Sequence, residues 1–543
     1  MTSDAVLRWI DDTILGLGRQ MRWSYLPPLM IYVAAGVAGL TSIVGTFFIK
    51  DYLGLSAAFL AGLGFWAGIP WALKMPLGHL VDLIWRWKSL LVYAGAALIA
   101  LSIGIMHGLI VHTDAMAGVM SVEAWFVLST LLAPVGYVVQ DVVADAMTVE
   151  AVPHVDARGD PYPDDAVKAM HTTMQTLGRL AIIGGLMAVA ALNIFMFAGV
   201  ETMTETEKVA IYADIYALAL VIPVVSVSGV ILGGVLLRRR ARAMRREGLD
   251  EDRIRVLLFE PAEETEPNWW IFGGSLAFVV FTLAVGLGEL PFAQEVIFTG
   301  SMAIVLFLMS RLIRELPPAV RGPLVGTAVI IFVFRAVPLP GPGATWFDID
   351  VLGFDQQFLS VLYVISSGLA LAGMVLFRPM MARRSVAYVV AFLTVAAGIL
   401  SLPNIGLFYG LHEWTAGLTA GVVDARFIAI IDTSLESPLG QVAMIPMLAW
   451  IAKNAPVHLK ATFFAVMASF TNLALSASSL GTKYMNEIYT VTREVRDRAT
   501  AAIEIAADYG ELGWLLITVA AIGFLLPLAT IAIVQHSPLK TRQ

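Results

Sequence analysis

Asp141-Val-Val-Ala-Asp145-Ala-Met-Thr148-Val-Glu150 closes an apolar run that begins near Val122. About 20 residues cross a bilayer, so this run carries three carboxylates to or near membrane depth. A carboxylate in hydrocarbon costs several kcal/mol unless it faces a cavity, meets a cation or holds a proton. On a helix Asp141, Asp145 and Thr148 are four and seven residues apart and share one face, while Glu150 points elsewhere, toward the helix end. Two readings follow. The carboxylates pair with Lys or Arg to clamp helices together, or they belong to a transport pathway, the usual reason for an ionisable group inside a membrane.

Composition places the rest of the chain in the same setting. Of 543 residues, 58% are hydrophobic and only 14% charged, which predicts an all-α integral membrane protein. The absence of cysteine excludes disulfides and thiolate metal sites. The net charge of −7 gives no reason to expect a nucleic-acid partner, because the charges sit in membrane loops. No cleavable signal peptide is expected. Residues 1–22 carry Val6, Trp9, Ile10, Ile14 and Leu17 at helical spacing among charges, which predicts an amphipathic helix on the cytoplasmic membrane surface.

Runs of spanning length fall at 24–50, 56–80, 88–111, 121–150, 169–197 and 208–237. Beyond a charged linker come 269–289, 294–315, 320–340, 356–378, 384–410, 420–452, 457–481 and 511–535, for about 14 transmembrane helices. With the N-terminus inside, Lys50, Lys208, Lys483, Arg493, Arg496 and Arg498 fall outside, and Lys74, Arg179, Arg335 and Arg426 fall within spans. The remaining 25 of the 35 Lys and Arg fall inside, so both termini are expected in the cytoplasm, in a bacterial inner membrane. The linker 238–268 opens on Arg238-Arg-Arg-Ala-Arg-Ala-Met-Arg-Arg246, a stop signal facing anionic lipid. It separates six spans from eight, and carriers built from two six-helix halves hold their cargo between the halves.

Three ordered segments carry a family resemblance. The stretch Asp141–Glu150 is one. Pro70-Trp71-Ala-Leu-Lys74-Met-Pro76-Leu-Gly78-His-Leu-Val-Asp82 is the second. The third is Gly440-Gln-Val-Ala-Met-Ile-Pro446-Met-Leu-Ala, followed by Ala461-Thr462-Phe-Phe-Ala-Val-Met-Ala-Ser469-Phe-Thr-Asn472. With Gln175 and Leu352-Gly353-Phe354, they resemble the folate–biopterin transporter family of the major facilitator superfamily, from about residue 25 to 535. The resemblance implies two six-helix halves, 23–237 and 316–535, with a tail at 536–543. The family has twelve spans, so 269–315 is expected to be an extra transmembrane hairpin lying outside the two halves. Lys460 stands where the family has Glu, and Arg335 where it has an uncharged polar residue.

The residues themselves divide into roles. Lys74 either snorkels to the headgroups, anchors substrate, or bridges to Asp141 or Asp145. Gly78 and Asp82, as the superfamily resemblance implies, gate the inner face, and Glu150 is grouped with them. Arg179 lies about eleven residues into its span, with Gln175 one turn earlier on the same face. An Arg at that depth needs a partner, which would be a cargo carboxylate held bidentately or an Asp. In the second half Arg335 and Asp432 are expected at mid-depth, and Asp432 with Glu436 repeats the i, i+4 carboxylate spacing. Trp71, with Trp66, Phe332, Phe334 and Phe408, could stack a flat heterocycle or simply pack against core and lipid.

The expectation is a secondary carrier for a folate- or pterin-like organic anion. Lys74, Gln175, Arg179, Arg335 and Trp71 would bind cargo, and Asp141, Asp145, Asp432 and Glu436 would handle protons. The alternatives are a carrier for another organic anion, or an assembly or pigment-handling factor that reuses the fold and meets a membrane-protein partner through the hairpin. No GxxxxGK[ST] loop appears, which argues against an ATP-driven pump. The chain has no nucleophile–base pair, and His107, His112, His412 and His458 lack metal spacing, so no enzyme, cofactor or metal is expected.

Overall fold

The fold was read from a computed structural model, which describes residues 21–41, 44–47, 55–72, 74–156, 158–259, 269–287, 292–314, 316–377, 380, 384–436, 460–496 and 503–541. The expected surface helix lies almost wholly outside these residues. The Gly440–Ala449 motif and the end of the linker lie outside them entirely.

Apolar runs become helices because a backbone amide in hydrocarbon can bond only to its own chain. Helix α1 (Leu26–Val37) starts on Pro27 and Pro28, which the first turn tolerates, and runs on as a 3-10 turn to Thr41. In the second expected span the described residues are helical over α2 (Ala57–Ala72), with Pro70 inside it, and over α3 (Lys74–Leu83). Then come α4 (Ser89–Val111), α5 (Val122–Ala151), α6 (Asp164–Met196), α7 (Glu205–Ala219) and α8 (Val221–Arg246). Thr204 and Glu207 close a reciprocal capping box at the start of α7. Beyond the short linker helix α9 (Glu251–Leu258) lie α10 (Trp269–Leu287), α11 (Ala293–Arg314), α12 (Pro318–Arg335) and α13 (Pro342–Asp350). The chain ends with α14 (Gln356–Leu376), α15 (Val386–Phe408), α16 (Ala425–Glu436), α17 (Lys460–Ile488) and α18 (Leu512–Gln535). Among the described residues, nine of the fourteen expected spans form helices long and apolar enough to cross a membrane. An antiparallel pair, β1 (Val495–Arg496) and β2 (Ile503–Ile505), interrupts the helices.

The helices before the linker pack mainly with one another, α4 on α5 and α1 on α6 and α8. The tightest crossing is made by two glycines. A Cβ on Gly95 would lie 2.6 Å from the Gly136 carbonyl oxygen, and one on Gly136 would lie 2.7 Å from the Gly95 carbonyl oxygen, so neither position admits a side chain. The helices after the linker pack α15 and α12 on α18, and α16 on α14 and α15. The two groups meet along α2 with α17 and along α6 with α14.

Helices α10 and α11 pack on each other, α11 against α17 and α2, and α10 against α3. The end of α11 distant from the linker is tied to both groups. The Gln294 amide donates to the Gly62 carbonyl of α2 at 3.2 Å, while Lys483 of α17 approaches the Glu295 carboxylate at 3.4 Å and the Tyr484 hydroxyl also donates to it.

At that far face α13 packs against Val491, Tyr509 and Leu512. Phe347 packs against Phe408 and Tyr509, and the Tyr509 hydroxyl donates to Asp350 at 2.6 Å. Burial pushes the neighbouring Asp348 carboxyl up to about 7. Below the ordinary carboxylate value the folded and unfolded chains are both protonated there. As pH rises toward 7 the unfolded chain ionises first, so this group lowers stability between about pH 4 and pH 7. The expected result is that Asp348→Asn raises the melting temperature by several degrees at pH 8 and leaves it unchanged at pH 4. An equal shift at both pH values would mean that charge is not the cause.

Candidate functional site

Lys74 lies on α3, which packs on α5 and α17. Beside it the Asn472 amide of α17 donates to the Trp71 carbonyl of α2 at 3.1 Å. Lys74 itself reaches α5. Its Nζ lies 2.6 Å from Asp141 Oδ2 and 2.8 Å from Asp145 Oδ2, so the i, i+4 spacing delivers both carboxylates to one ammonium. From α1 the Tyr32 hydroxyl donates to Asp145 Oδ1 at 2.6 Å. Of the roles open to Lys74, the structure has the ion pair, doubled. The Asp141 side chain is 17% exposed and the Asp145 side chain 48%, so Asp145 is the carboxylate that solvent reaches. Thr148, expected on this face as well, donates to the Asp145 backbone carbonyl at 2.7 Å.

Arg179 joins the same region from α6. A Cβ on the preceding Gly178 would lie 3.0 Å from Tyr32 Cε2, so α6 presses on the Tyr32 ring and the Arg179 charge acts on the Tyr32 hydroxyl. Arg179 is exposed and makes no ion pair among the described residues. Fully ionised, the group holds two cations, Lys74 and Arg179, against two anions, Asp141 and Asp145. Gln175 precedes Arg179 by one turn on α6; its side chain, like that of Asp82 on α3, lies outside the described residues.

Glu150 stands apart, as its helical phase requires. Its Oε1 lies 3.2 Å from Lys88 Nζ, tying the end of α5 to the start of α4. Lys88 is buried, 3.8 Å over the Trp85 ring, and donates to the Trp85 carbonyl at 3.4 Å. Burial pulls this ammonium below its ordinary value and Glu150 opposes that pull. Gly78 faces open space on α3, since a Cβ there would meet nothing within 4 Å.

Asp432 is buried on α16 and accepts from the Asn404 amide of α15 at 2.9 Å. Glu436 lies on α16, with its side chain outside the described residues. Arg335, expected at mid-depth, is the last residue of α12. The cause is local: Pro338, Pro340 and Pro342 follow at alternate positions, and a residue before proline is pushed out of the helical region. Arg426 pairs with Asp355 at 2.8 Å and donates to the Gly353 carbonyl at 3.1 Å, holding the Leu352–Phe354 turn where Gly353 has φ +69°. The other candidate aromatics are packed: Trp66 against Phe65, Phe332 against Phe470, and Phe408 against Phe347.

Sequence reasoning missed Tyr32, Lys88, Asn404 and a role for Asn472. A lone Tyr or Asn in an apolar run carries no periodicity, and each acts here through a partner from another helix.

The model of the BT1 family matches residues 35–541. A folate-biopterin transporter of Synechocystis sp. is 22% identical over 476 residues, covering 87% of this chain and 76% of that protein. Among solved structures, a POT family transporter in complex with 5-aminolevulinic acid is similar at TM-score 0.56 with 12% identity, covering 95% of this chain and 96% of the other. A point mutant of the nucleoside transporter NupG is similar at TM-score 0.53 with 11% identity, over 94% of this chain and 100% of the other. The inward-open xylose transporter XylE from E. coli is similar at TM-score 0.51 with 11% identity, over 94% of each chain. At such identities the structural likeness speaks for the fold alone.

Proposed function

The chain belongs to the BT1 family and is a multi-pass membrane transporter, and from that premise we propose that it is a proton-coupled secondary carrier for a folate- or pterin-like organic anion. The observation that carries the proposal is the charge arrangement around Tyr32. Lys74 is occupied by two carboxylates, while Arg179 makes no ion pair among the described residues. The group is neutral when empty. A bound monoanion leaves it at −1, and one proton on Asp145, the more exposed carboxylate, restores neutrality. Net charge is costly to enclose in a low dielectric, so closure around cargo favours the loaded and protonated state. Arg179 holds the anion, Asp145 takes the proton with Tyr32 as its neighbour, and Asp141 keeps Lys74 in place.

The helices before and after the linker act as the two rocking halves, meeting along α2–α17 and α6–α14. Helices α10 and α11 ride outside them. The linker face is the cytoplasmic one, by the excess of Lys and Arg on that side, and Glu150 with Lys88 braces it.

Arg179→Gln tests the reading in vesicles of reconstituted protein. Removing a charge-assisted contact of about 1.5–3 kcal/mol should raise the transport constant by roughly tenfold to a hundredfold, with expression and melting temperature close to wild type. Unchanged transport with intact folding would exclude Arg179 as the anion site. Collapse of expression would assign it to packing.

A further inference from the structure

We propose that the cavity between the two helix groups at the far face is a second binding site, built for an uncharged, flat, hydrogen-bonding heterocycle. It measures about 460 Å³, within the size range of small-molecule sites. Both groups contribute to it: Thr46, Leu63 and Thr130 from one, and Leu339, Thr345 and Ser479 from the other. No lining residue is ionisable. The site therefore differs in kind from the Lys74–Asp141–Asp145 cluster, which lies ten residues further along α2–α3, about 15 Å of helix rise from Gly64.

Its hydroxyls fall into two sets. Ser478 donates to the Val337 carbonyl at 2.6 Å, and Thr482 donates to the Ser478 carbonyl at 2.8 Å while accepting from Leu339 N at 2.9 Å, so these two are committed to the fold. Thr130, Thr345 and Ser479 make no protein hydrogen bond among the described residues, though they line the same space. A hydroxyl can donate or accept, so three of them around one cavity can match the mixed donor and acceptor edge of a heteroaromatic ring. Leu60, Leu63, Phe126 and Leu339 supply apolar surface for its faces. A carboxylate in the same place would meet no cation among the lining residues, and burial without a partner costs it its hydration. Helix α13 contributes Thr345 and Trp346 to the lining, and Trp346 is fixed beneath Arg493 at 5.2 Å. The site recognises the neutral ring of a cargo whose anionic part is read by Arg179, and to that extent it rests on the carrier reading.

The test uses the purified full chain, with pterin, uncharged at pH 7, as one probe and 4-aminobenzoate as an anionic probe, read by equilibrium dialysis. Gly64 lines the cavity, and a Cβ there would meet only Ser479 Oγ, at 3.8 Å, so Gly64→Leu projects a side chain into the space without a backbone clash. The triple variant Thr130→Val, Thr345→Val, Ser479→Ala removes the hydroxyls at nearly constant volume and serves if the plugged chain does not fold. Each should weaken pterin binding at least tenfold, and Arg179→Gln should not. A wild-type chain that binds the anion but not pterin would overturn this inference alone, as would wild-type pterin affinity in the folded variants. Pterin binding that depends on the cavity, in a chain that binds no anion at all, would overturn the Arg179 reading and leave this one standing.

Discussion

Vesicles carrying Asp145→Asn are expected to exchange labelled cargo across the membrane while failing to accumulate it against a gradient, with accumulation reduced at least tenfold. Asn has nearly the shape of a protonated Asp and keeps an acceptor for the Tyr32 hydroxyl, which lies 2.6 Å from Asp145 Oδ1 in the wild type. With this substitution the four-residue charge group stands at +1 when empty, and a monoanion alone brings it to neutrality. The site then closes on cargo without a proton, so the proton gradient drives nothing, but one cargo molecule can still replace another. Asp141→Asn should give the same division if the two carboxylates share one proton through Lys74, as close acid pairs can. The readout is paired: uptake driven by an imposed pH gradient, and efflux of label driven by external unlabelled cargo. Equal and complete loss of both processes in both variants would make the carboxylates structural and end the coupling proposal.

Lys74→Met should be the most damaging single substitution in the site. It leaves Asp141 and Asp145 facing each other on α5 without the ammonium that now lies 2.6 Å and 2.8 Å from them. Removing one partner of a buried ion pair costs about 3–5 kcal/mol. The lower end applies here, because the Lys74 side chain is 25% exposed. Folded yield from detergent should fall severalfold. Adding Asp141→Asn to Lys74→Met removes one of the stranded charges and should recover much of the yield, without restoring transport coupling. That recovery separates an electrostatic defect from a packing defect. A single variant that folds and melts like wild type would show that the ion pair does not hold α3 to α5.

For Glu150 the sequence suggests a tolerant, separate position, and the structure adds a buried Lys88 at 3.2 Å. Lys88 is the loop residue before α4, and in the sequence it resembles any membrane-flanking lysine. The folded chain buries it, over the Trp85 ring and against Glu150. In the second half the spacing of Asp432 and Glu436 does not reveal that the Asn404 amide of α15 donates to Asp432 at 2.9 Å.

The sequence by itself determined that this chain lives in a membrane and where, among the described residues, nine helices long and apolar enough to cross it run, and it singled out Asp141, Asp145, Lys74 and Arg179 as ionisable groups in apolar runs that need a reason to be there. Those conclusions rest on local quantities: the length of an apolar run, the transfer cost of a charge, and the 3.6-residue period that puts i and i+4 on one face. The tertiary structure decided which reason applies to each. Lys74 meets Asp141 across 67 residues, Tyr32 meets Asp145 across 113, and Asn472 meets the Trp71 carbonyl across 401. The hydroxyl-lined cavity likewise draws its walls from both ends of the chain. A span has no hydrophobic reason to choose one neighbouring helix over another, because lipid is as apolar as any of them. The choice is made by close-packing glycines such as Gly95 and Gly136 and by a few polar side chains that must find donors or acceptors, and those matches exist only once the helices have come together.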